Sequence, residues 1–385
     1  MKGVSALVLI AASLLARPAM AQIDFDREPL SYRTATRQDP VSQLQAKLEQ
    51  KAARLDFDPA RGYLPALLHE LNISAASQTL VFSKTSFQRS KISAKRPRAL
   101  YFNDESYVGW VQNGDVIEIT SIDPRLGAVF YTLEQRQSDP PTLTRQTDDC
   151  LQCHAGSMTD GVPGHMIRSI FPTASGAPVL SAGSFRTTYR SPLSERWGGW
   201  YVTGTHGQER HMGNNALRGT DDPERLDRNS GANLTDLSSR FDVRPYLTPH
   251  SDIVALMVLE HQVPAHNQLT LAGYRAQLAR QEQEVLNRMA GKPAGEPMES
   301  IDRRYDQIAA DLVEYLLFAG EAPLAGPIRG TSGFSSCFTA LGPHDGQGRS
   351  LREFDLQTRL FKYPCSYLIY SRAFDGLPDA VKQRV

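Results

Sequence analysis

The sequence lacks most of the features that assign a protein to a functional class at once. It contains none of the patterns G-x-x-x-x-G-K-[ST], G-x-G-x-x-G, H-E-x-x-H and G-x-S-x-G, so nucleotide binding and the common hydrolase chemistries have no support. It has no excess charge of one sign, because 42 Lys and Arg balance 42 Asp and Glu. There are only four cysteines among 385 residues, so a dense disulfide framework is excluded.

Long apolar runs are also missing, apart from a short one at the N-terminus. Lys2 precedes an apolar stretch over residues 4–16, and Ala19-Met20-Ala21 forms an A-x-A cleavage site before Gln22. Residues 1–21 therefore predict a signal peptide, and we expect the protein to be periplasmic or otherwise exported, with no membrane span after cleavage. An uncleaved anchor is the alternative, but Arg17 and Pro18 interrupt the apolar run early.

Cleavage also fixes the expected charge of the mature chain. Removing Lys2 and Arg17 leaves 40 basic residues against 42 acidic ones, a formal charge of −2. This composition gives no reason to expect a nucleic-acid partner.

The N-terminal half is predicted to contain two helices followed by strands. Apolar residues recur at helical spacing in the segment starting at Asp39, and a second helix is expected around "LPALLHEL" at residues 64–71. From Ala99, four short β-favouring runs are separated by turn-forming residues, which predicts an antiparallel meander. Further strands are expected in a hairpin around Ser175-Gly176 and in "WGGWYVTGTHG".

The C-terminal half has a helical pattern. One helix is predicted from an N-cap at Thr248 to Pro264, another ends at Gly291, and a third ends at Gly320. The predicted fold class is α+β, with a β-rich N-terminal half and a mainly helical C-terminal half. After the signal peptide, the expected regions are an N-terminal arm with helices (22–98), the β-rich region (99–206), a polar loop (207–247) and a helical region with an irregular tail (248–385).

The stretch "TDDCLQCHAG", residues 147–156, contains the most specific motif in the chain. Cys150, Cys153 and His154 stand at i, i+3 and i+4, so one helical turn places both thiols and the imidazole on the same side. C-x-x-C-H is the attachment signature of haem c, and at "CLQCH" the chain resembles the c-type cytochromes. The resemblance implies one covalent haem c, bound through Cys150 and Cys153, with His154 as an axial ligand of the iron. The strand-rich flanks depart from the small helical fold of class I cytochromes c, so that fold is not expected here.

The motif has three other possible interpretations, and each has less support from the sequence. A structural zinc site needs four ligands, and the remaining cysteines, Cys337 and Cys365, lie far away in sequence. A redox dithiol of the thioredoxin type is expected at a strand-to-helix junction in a βαβ unit, which the sequence does not show. The third is that the cysteines are ordinary buried side chains. We therefore expect haem.

The sixth iron ligand is left open by the sequence. Two segments stand out, "THGQERHMGNN" with His206, His211 and Met212, and "VLEHQVPAHN" with His261. The full set of eligible side chains in the hundred or so residues after the motif is His165, Met166, His206, His211, Met212, Met257, His261 and His266.

A haem also needs an apolar cradle and partners for its propionates. "RWGGWYV" supplies Arg196, Trp197, Trp200 and Tyr201, and Arg168 follows the motif, although aromatic residues in a strand are more often ordinary core. A second metal site at Glu260, His261 and His266 is disfavoured, because Pro264 is expected to break the helix between the histidines.

The expected function is single-electron transfer by an exported monohaem c-type cytochrome, with an unidentified redox protein or a small oxidant or reductant as partner. The alternatives are a haem-dependent oxidoreductase and a haem-based sensor, each with an open sixth iron site. The sequence leaves open whether Cys337 and Cys365 form a disulfide or remain free thiols.

Overall fold

The computed structural model describes residues 23–385 and has an α+β fold. The predicted signal peptide lies outside the described residues. An antiparallel sheet occupies the N-terminal half and the long helices occupy the C-terminal half, which confirms the predicted fold class. Within the described chain, no helix is both long enough and apolar enough to span a bilayer.

Nine strands form the β-structure of the described residues. They are β1 (Thr79–Val81), β2 (Arg98–Phe102), β3 (Ser106–Trp110), β4 (Val116–Asp123), β5 (Gly127–Glu134), β6 (Leu143–Gln146), β7 (Ile167–Ile170), β8 (Ser184–Thr187) and β9 (Trp200–Tyr201). Seven of them make one sheet in the order β6-β5-β4-β3-β2-β1-β9, and β7 pairs with β8. The predicted meander is confirmed as β2 to β5, and "WGGWYVTGTHG" supplies the two-residue edge strand β9.

One face of the large sheet, here called the site face, faces the C-x-x-C-H motif. Phe130 pairs with Thr120, which pairs with Tyr107, so these three side chains point to one side. Glu118 and Gly109 form the next cross-strand pair on the same face.

The described part of the chain contains eight α-helices. They are α1 (Pro40–Glu49), α2 (Leu64–Glu70), α3 (Asp149–His154), α4 (Ile253–Met289), α5 (Glu299–Leu316), α6 (Phe334–Ala340), α7 (Arg372–Asp375) and α8 (Asp379–Lys382). Helix α1 lies on the face opposite the site face, where the Tyr131 hydroxyl donates to its N-cap, Asp39, at 2.7 Å. Helix α4 covers the site face, where the Tyr107 hydroxyl lies 2.7 Å from Nδ1 of His266.

Two predictions about α4 were wrong. The helix begins at Ile253 rather than near Pro249, because the Asp252 carboxylate accepts hydrogen bonds from the first-turn amides of Val254 and Ala255. It also continues through Pro264 to Met289. All residues from 253 to 267 are buried, so packing on every side holds the helix together despite the missing proline N–H.

The main hydrophobic core includes residues from Tyr32 to Val381, and each of the four regions expected after residue 21 contributes to it. The C-terminal thiols are free: Cys337 is exposed and Cys365 is partly buried. Of the two states that the sequence left open for these cysteines, the structure has the free thiols.

Candidate functional site

Helix α3 is short and is held by a buried leucine and by an ion pair just before its first residue. Leu151 is buried in the main core, and Asp148, just before the helix, forms an ion pair with Arg33 at 2.6 Å. Cys150 is partly buried and Cys153 is exposed, and both are free thiols. The helical spacing therefore presents two thiols on one side of a short helix at the protein surface.

The chain after α3 folds back onto His154. The Gly164 amide donates to the His154 carbonyl at 2.8 Å, which closes the loop of residues 155–163. Within this loop, Asp160 lies in the left-handed region and accepts two hydrogen bonds from Arg186, at 2.9 and 2.7 Å. Gln268 of α4 donates to the same carboxylate at 3.1 Å, so the loop is tied to both β8 and α4.

The imidazole of His154 is held in one tautomer. Its Nδ1 lies 3.0 Å from the Gly164 carbonyl oxygen, which can only accept, so Nδ1 carries the proton. Nε2 then keeps its lone pair. Burial lowers the pKa of His154, and the nearby Arg98 guanidinium lowers it further, so the ring is neutral at pH 7. A neutral imidazole whose other nitrogen donates to a carbonyl is the form that binds metals.

His165 lies directly beside His154. The two ring centroids are 4.8 Å apart in an edge-to-face arrangement, and Phe130 and Tyr107 pack against His165 at 5.4 Å each. Burial holds the pKa of His165 well below its usual value. Its Nε2 is buried without a hydrogen-bond partner in the described residues.

Asn267 of α4 fixes the backbone of His165. Its Oδ1 accepts from the His165 amide at 3.1 Å, and its Nδ2 donates to the His165 carbonyl at 2.7 Å. The close approach depends on Gly164, because a Cβ atom there would lie 2.1 Å from Asn267 Oδ1. The position of His165 is therefore determined by α4 as well as by its own segment.

The two histidines cannot bracket one porphyrin in this arrangement. Two imidazoles that held one metal ion between them would have to direct their Nε2 atoms at each other across that ion. The observed separation is 4.8 Å and the rings are nearly perpendicular, at 82°. His165 is thus a neighbour of the proposed proximal ligand rather than its axial counterpart.

The enclosed space beside these histidines is too small for a haem. Tyr107, His165, Val263 and His266 are among the residues around this space, which has no room even for a water molecule. Pockets for organic ligands of ordinary size measure roughly 300–1,000 Å³. Cys153 is exposed, so its thiol is accessible from the surface of the protein.

An ion pair crosses the site face next to α3. Arg98 on β2 and Glu118 on β4 meet at 2.5 Å, and each side chain is 18% exposed. The guanidinium lies over Gly109 of β3, where a Cβ atom would come within 2.3 Å of Arg98 Nη2. Gln88 also donates to Glu118, at 3.1 Å.

Two of the named candidates for the sixth iron ligand, His206 and His211, lie together, with ring centroids 4.7 Å apart. His206 uses both nitrogens: Nδ1 donates to the Glu209 carbonyl and Nε2 accepts from the Asn233 amide, each at 3.0 Å. His211 Nδ1 accepts from the Gly213 amide at 3.0 Å, and burial lowers its pKa to about 3.

The other two candidates also have partners elsewhere. Met212 is buried, and its sulfur accepts from Ser169 at 3.6 Å. His261 Nε2 pairs with the Ser366 hydroxyl at 2.7 Å, and its ring stacks on Phe318. In the part of the chain that the structure describes, the ring neighbours of His154 are Phe130 and His165 and none of these four.

The expected haem cradle is dispersed in the structure. Arg196 forms a fully buried ion pair with Glu260 at 3.0 Å, and Trp197 is buried against His211. Trp200 pairs with Val81, which pairs with Arg98, so Trp200 belongs to the site face. Tyr201 points to the opposite face.

Arg168 and the three residues of the second suggested metal site are described next. The Arg168 guanidinium donates to the Ser184 hydroxyl at 3.1 and 3.2 Å. Although α4 is unbroken, His261 and His266 are five positions apart and lie on different sides of it. Among residues 23–385, no group of three or more His, Cys, Asp or Glu side chains is arranged to hold a metal ion.

The chain has no match among known protein families, curated proteins or solved structures.

The local motif predicts Cys150, Cys153 and His154 as site residues without reference to the fold. The roles of Asn267 and of the Arg98–Glu118 pair were missed, because each depends on segments that come together only in the fold. His165 was one of eight eligible ligands, and no local signal distinguished it as the one next to His154.

Proposed function

We propose that this protein is an exported c-type cytochrome that carries one covalent haem on Cys150 and Cys153 and transfers single electrons. The observation that supports this most is the hydrogen bond from His154 Nδ1 to the Gly164 carbonyl, at 3.0 Å. It leaves the Nε2 lone pair free for iron on a residue that directly follows the second thiol.

The thiols suit covalent attachment without an added oxidant or reductant. Each S–H group adds across a vinyl group: sulfur bonds to one carbon, and the thiol hydrogen ends on the other, so no electrons are gained or lost. Cys153 is exposed and can react directly, whereas Cys150 is partly buried and its pKa is raised to about 11 by burial and by the Glu118 carboxylate. We therefore infer that Cys150 is the less reactive thiol of the pair.

When bound, the haem would supply a ferric–ferrous couple that accepts one electron from a donor and passes one to an acceptor. The chain's own part is to hold His154 in the metal-binding tautomer and to pack Phe130 and His165 against its ring. These contacts restrict reorientation of the His154 imidazole. An unidentified redox protein or a small oxidant or reductant would be the partner.

A second function is favoured by one specific observation. The four named candidates for the sixth ligand are engaged in hydrogen bonds or ring contacts elsewhere. An open sixth position would suit a haem-dependent oxidoreductase or a haem-based sensor, because either one must bind a small molecule at the iron.

Absorption spectra of the exported protein test both proposals. The electron-carrier function predicts a six-coordinate low-spin haem that cycles between ferric and ferrous states and does not bind carbon monoxide. A high-spin haem whose ferrous form binds carbon monoxide would favour the oxidoreductase or sensor. A protein recovered without haem from a host able to attach haem c would contradict both.

A further inference from the structure

The Arg98–Glu118 ion pair is built into the site face rather than lying loosely on the surface. The two side chains extend from β2 and β4 and meet above Gly109 of the intervening strand. Any larger side chain at Gly109 would collide with the guanidinium. Gln88 holds the carboxylate from a third direction, and its own carbonyl oxygen accepts from the Asp115 amide at 2.9 Å.

The register of the sheet places this pair close to His154. Glu118 is two residues from Thr120, and Thr120 is paired with Phe130, so Glu118 and Phe130 are diagonal neighbours on one face. Such neighbours are roughly 7–8 Å apart. The Phe130 ring in turn contacts the His154 ring, with centroids 5.2 Å apart.

The pair also acts electrostatically on the residues of the motif. The Glu118 carboxylate raises the pKa of the Cys150 thiol, after the larger effect of burial, and the Arg98 guanidinium lowers it. Arg98 Nε is buried and makes no hydrogen bond in the described chain, so the guanidinium is not fully satisfied by Glu118. An unsatisfied buried donor needs a reason to be kept.

We infer that Arg98 and Glu118 both lie within electrostatic range of the iron and that each charge offsets the effect of the other on its reduction potential. The inference rests on the proposed haem. Ferric haem carries one more positive charge than ferrous haem, so a nearby anion stabilises the ferric state and a nearby cation destabilises it. Because the two opposite charges lie side by side, their effects on the iron largely cancel in the intact pair. Removing one partner leaves the charge of the other uncompensated.

Reduction potentials of single variants and a double variant test the inference. Glu118→Gln should raise the potential, because Arg98 is left as an uncompensated cation. Arg98→Gln should lower it, because Glu118 is left as an anion. The double variant should return close to the wild-type value. Glu284→Gln is the matched control, since it changes the same charge in the exposed Arg280–Glu284 pair on α4, about 27 Å along the helix from His266.

Shifts of the same sign in both single variants, or no shift in either, would overturn the inference even with haem fully attached. If Arg98→Gln does not fold, Arg98→Lys is the substitute: it keeps the positive charge and should retain the wild-type reduction potential. Glu118→Gln still tests whether loss of the negative charge raises the potential.

A measurement on the haem-free protein separates this inference from the proposed function. In a Cys153→Ser background, the pH dependence of alkylation reports the pKa of Cys150. Glu118→Gln should lower that pKa and Arg98→Gln should raise it. Absence of haem from the wild type would overturn the proposed function, whereas an unmoved Cys150 pKa in both variants would overturn the placement of the pair.

Discussion

The imidazole of His165 meets that of His154 edge to face, with ring centroids 4.8 Å apart. We therefore expect these two histidines, which are neighbours in space, to differ in their effect on a bound haem. On the proposed function, we expect His154→Ala to change the visible spectrum, because the iron would lose the nitrogen of His154. His165→Phe should keep the axial ligands, because His165 lies beside the ligand and not across the iron from it.

Absorption and electron paramagnetic resonance spectra of the two variants check this assignment. An unchanged spectrum in His154→Ala, or a ligand replaced in His165→Phe, would contradict it.

Cys153→Ala should remove most of the haem-bearing protein, because one thioether holds the cofactor poorly and Cys153 is the exposed thiol. Cys150→Ala should have the same effect. Cys337→Ala, a change at an exposed thiol outside the motif, should retain full haem content. Haem per chain, measured by mass and absorbance, distinguishes these outcomes, and full haem in both motif variants would rule out the attachment.

Gly164→Ala tests the close contact between the loop and α4. The added methyl group would lie 2.1 Å from Asn267 Oδ1, so the two hydrogen bonds to His165 must shift. We expect a loss of about 1–3 kcal/mol in the free energy of unfolding, measured with urea. Gly156→Ala is the control, because a Cβ atom at Gly156 meets nothing within 4 Å and should cost much less. Equal stability of both variants would contradict the contact.

The buried Arg196–Glu260 pair should be costly to break. Arg196 is 3% exposed and Glu260 is fully buried, so Arg196→Met leaves a carboxylate without its cation in the core. We expect a destabilisation of about 3–5 kcal/mol by urea unfolding. Removing Arg280 from its exposed pair with Glu284 should change stability by less than about 1 kcal/mol. Similar effects of the two changes would be inconsistent with the burial described.

Stability should fall as the pH is lowered from about 6.5 towards 3. Burial lowers the pKa of His211, His261 and His266 to about 3, whereas these groups titrate near 6.5 in the unfolded chain. Between these values the unfolded state binds more protons, so each histidine destabilises the fold by about 1.4 kcal/mol per pH unit. Above pH 6.5 this loss is absent.

Urea unfolding across this pH range measures how steeply the free energy of unfolding changes with pH. His211→Gln should reduce that slope by about 1.4 kcal/mol per pH unit, the contribution of one histidine. A slope that does not change in His211→Gln would mean that His211 is not buried in the neutral form.

The sequence predicted the meander well, because β2 to β5 have strong local patterns and clear turns. It failed at Pro264, where burial around α4 outweighs the local effect of proline. The site was predictable only as far as the motif extends. The Asn267 amide holds His165 across 102 positions of the chain, and Arg98 meets Glu118 from a different strand, so neither relationship has a local signature.

The most direct test of the central claim is the mass of the exported protein under denaturing conditions, combined with a pyridine haemochrome spectrum. The proposed function predicts a chain beginning at Gln22 that carries the mass of one haem, with a spectrum typical of two thioether bonds. A chain with the mass of the polypeptide alone and four titratable thiols would contradict the claim.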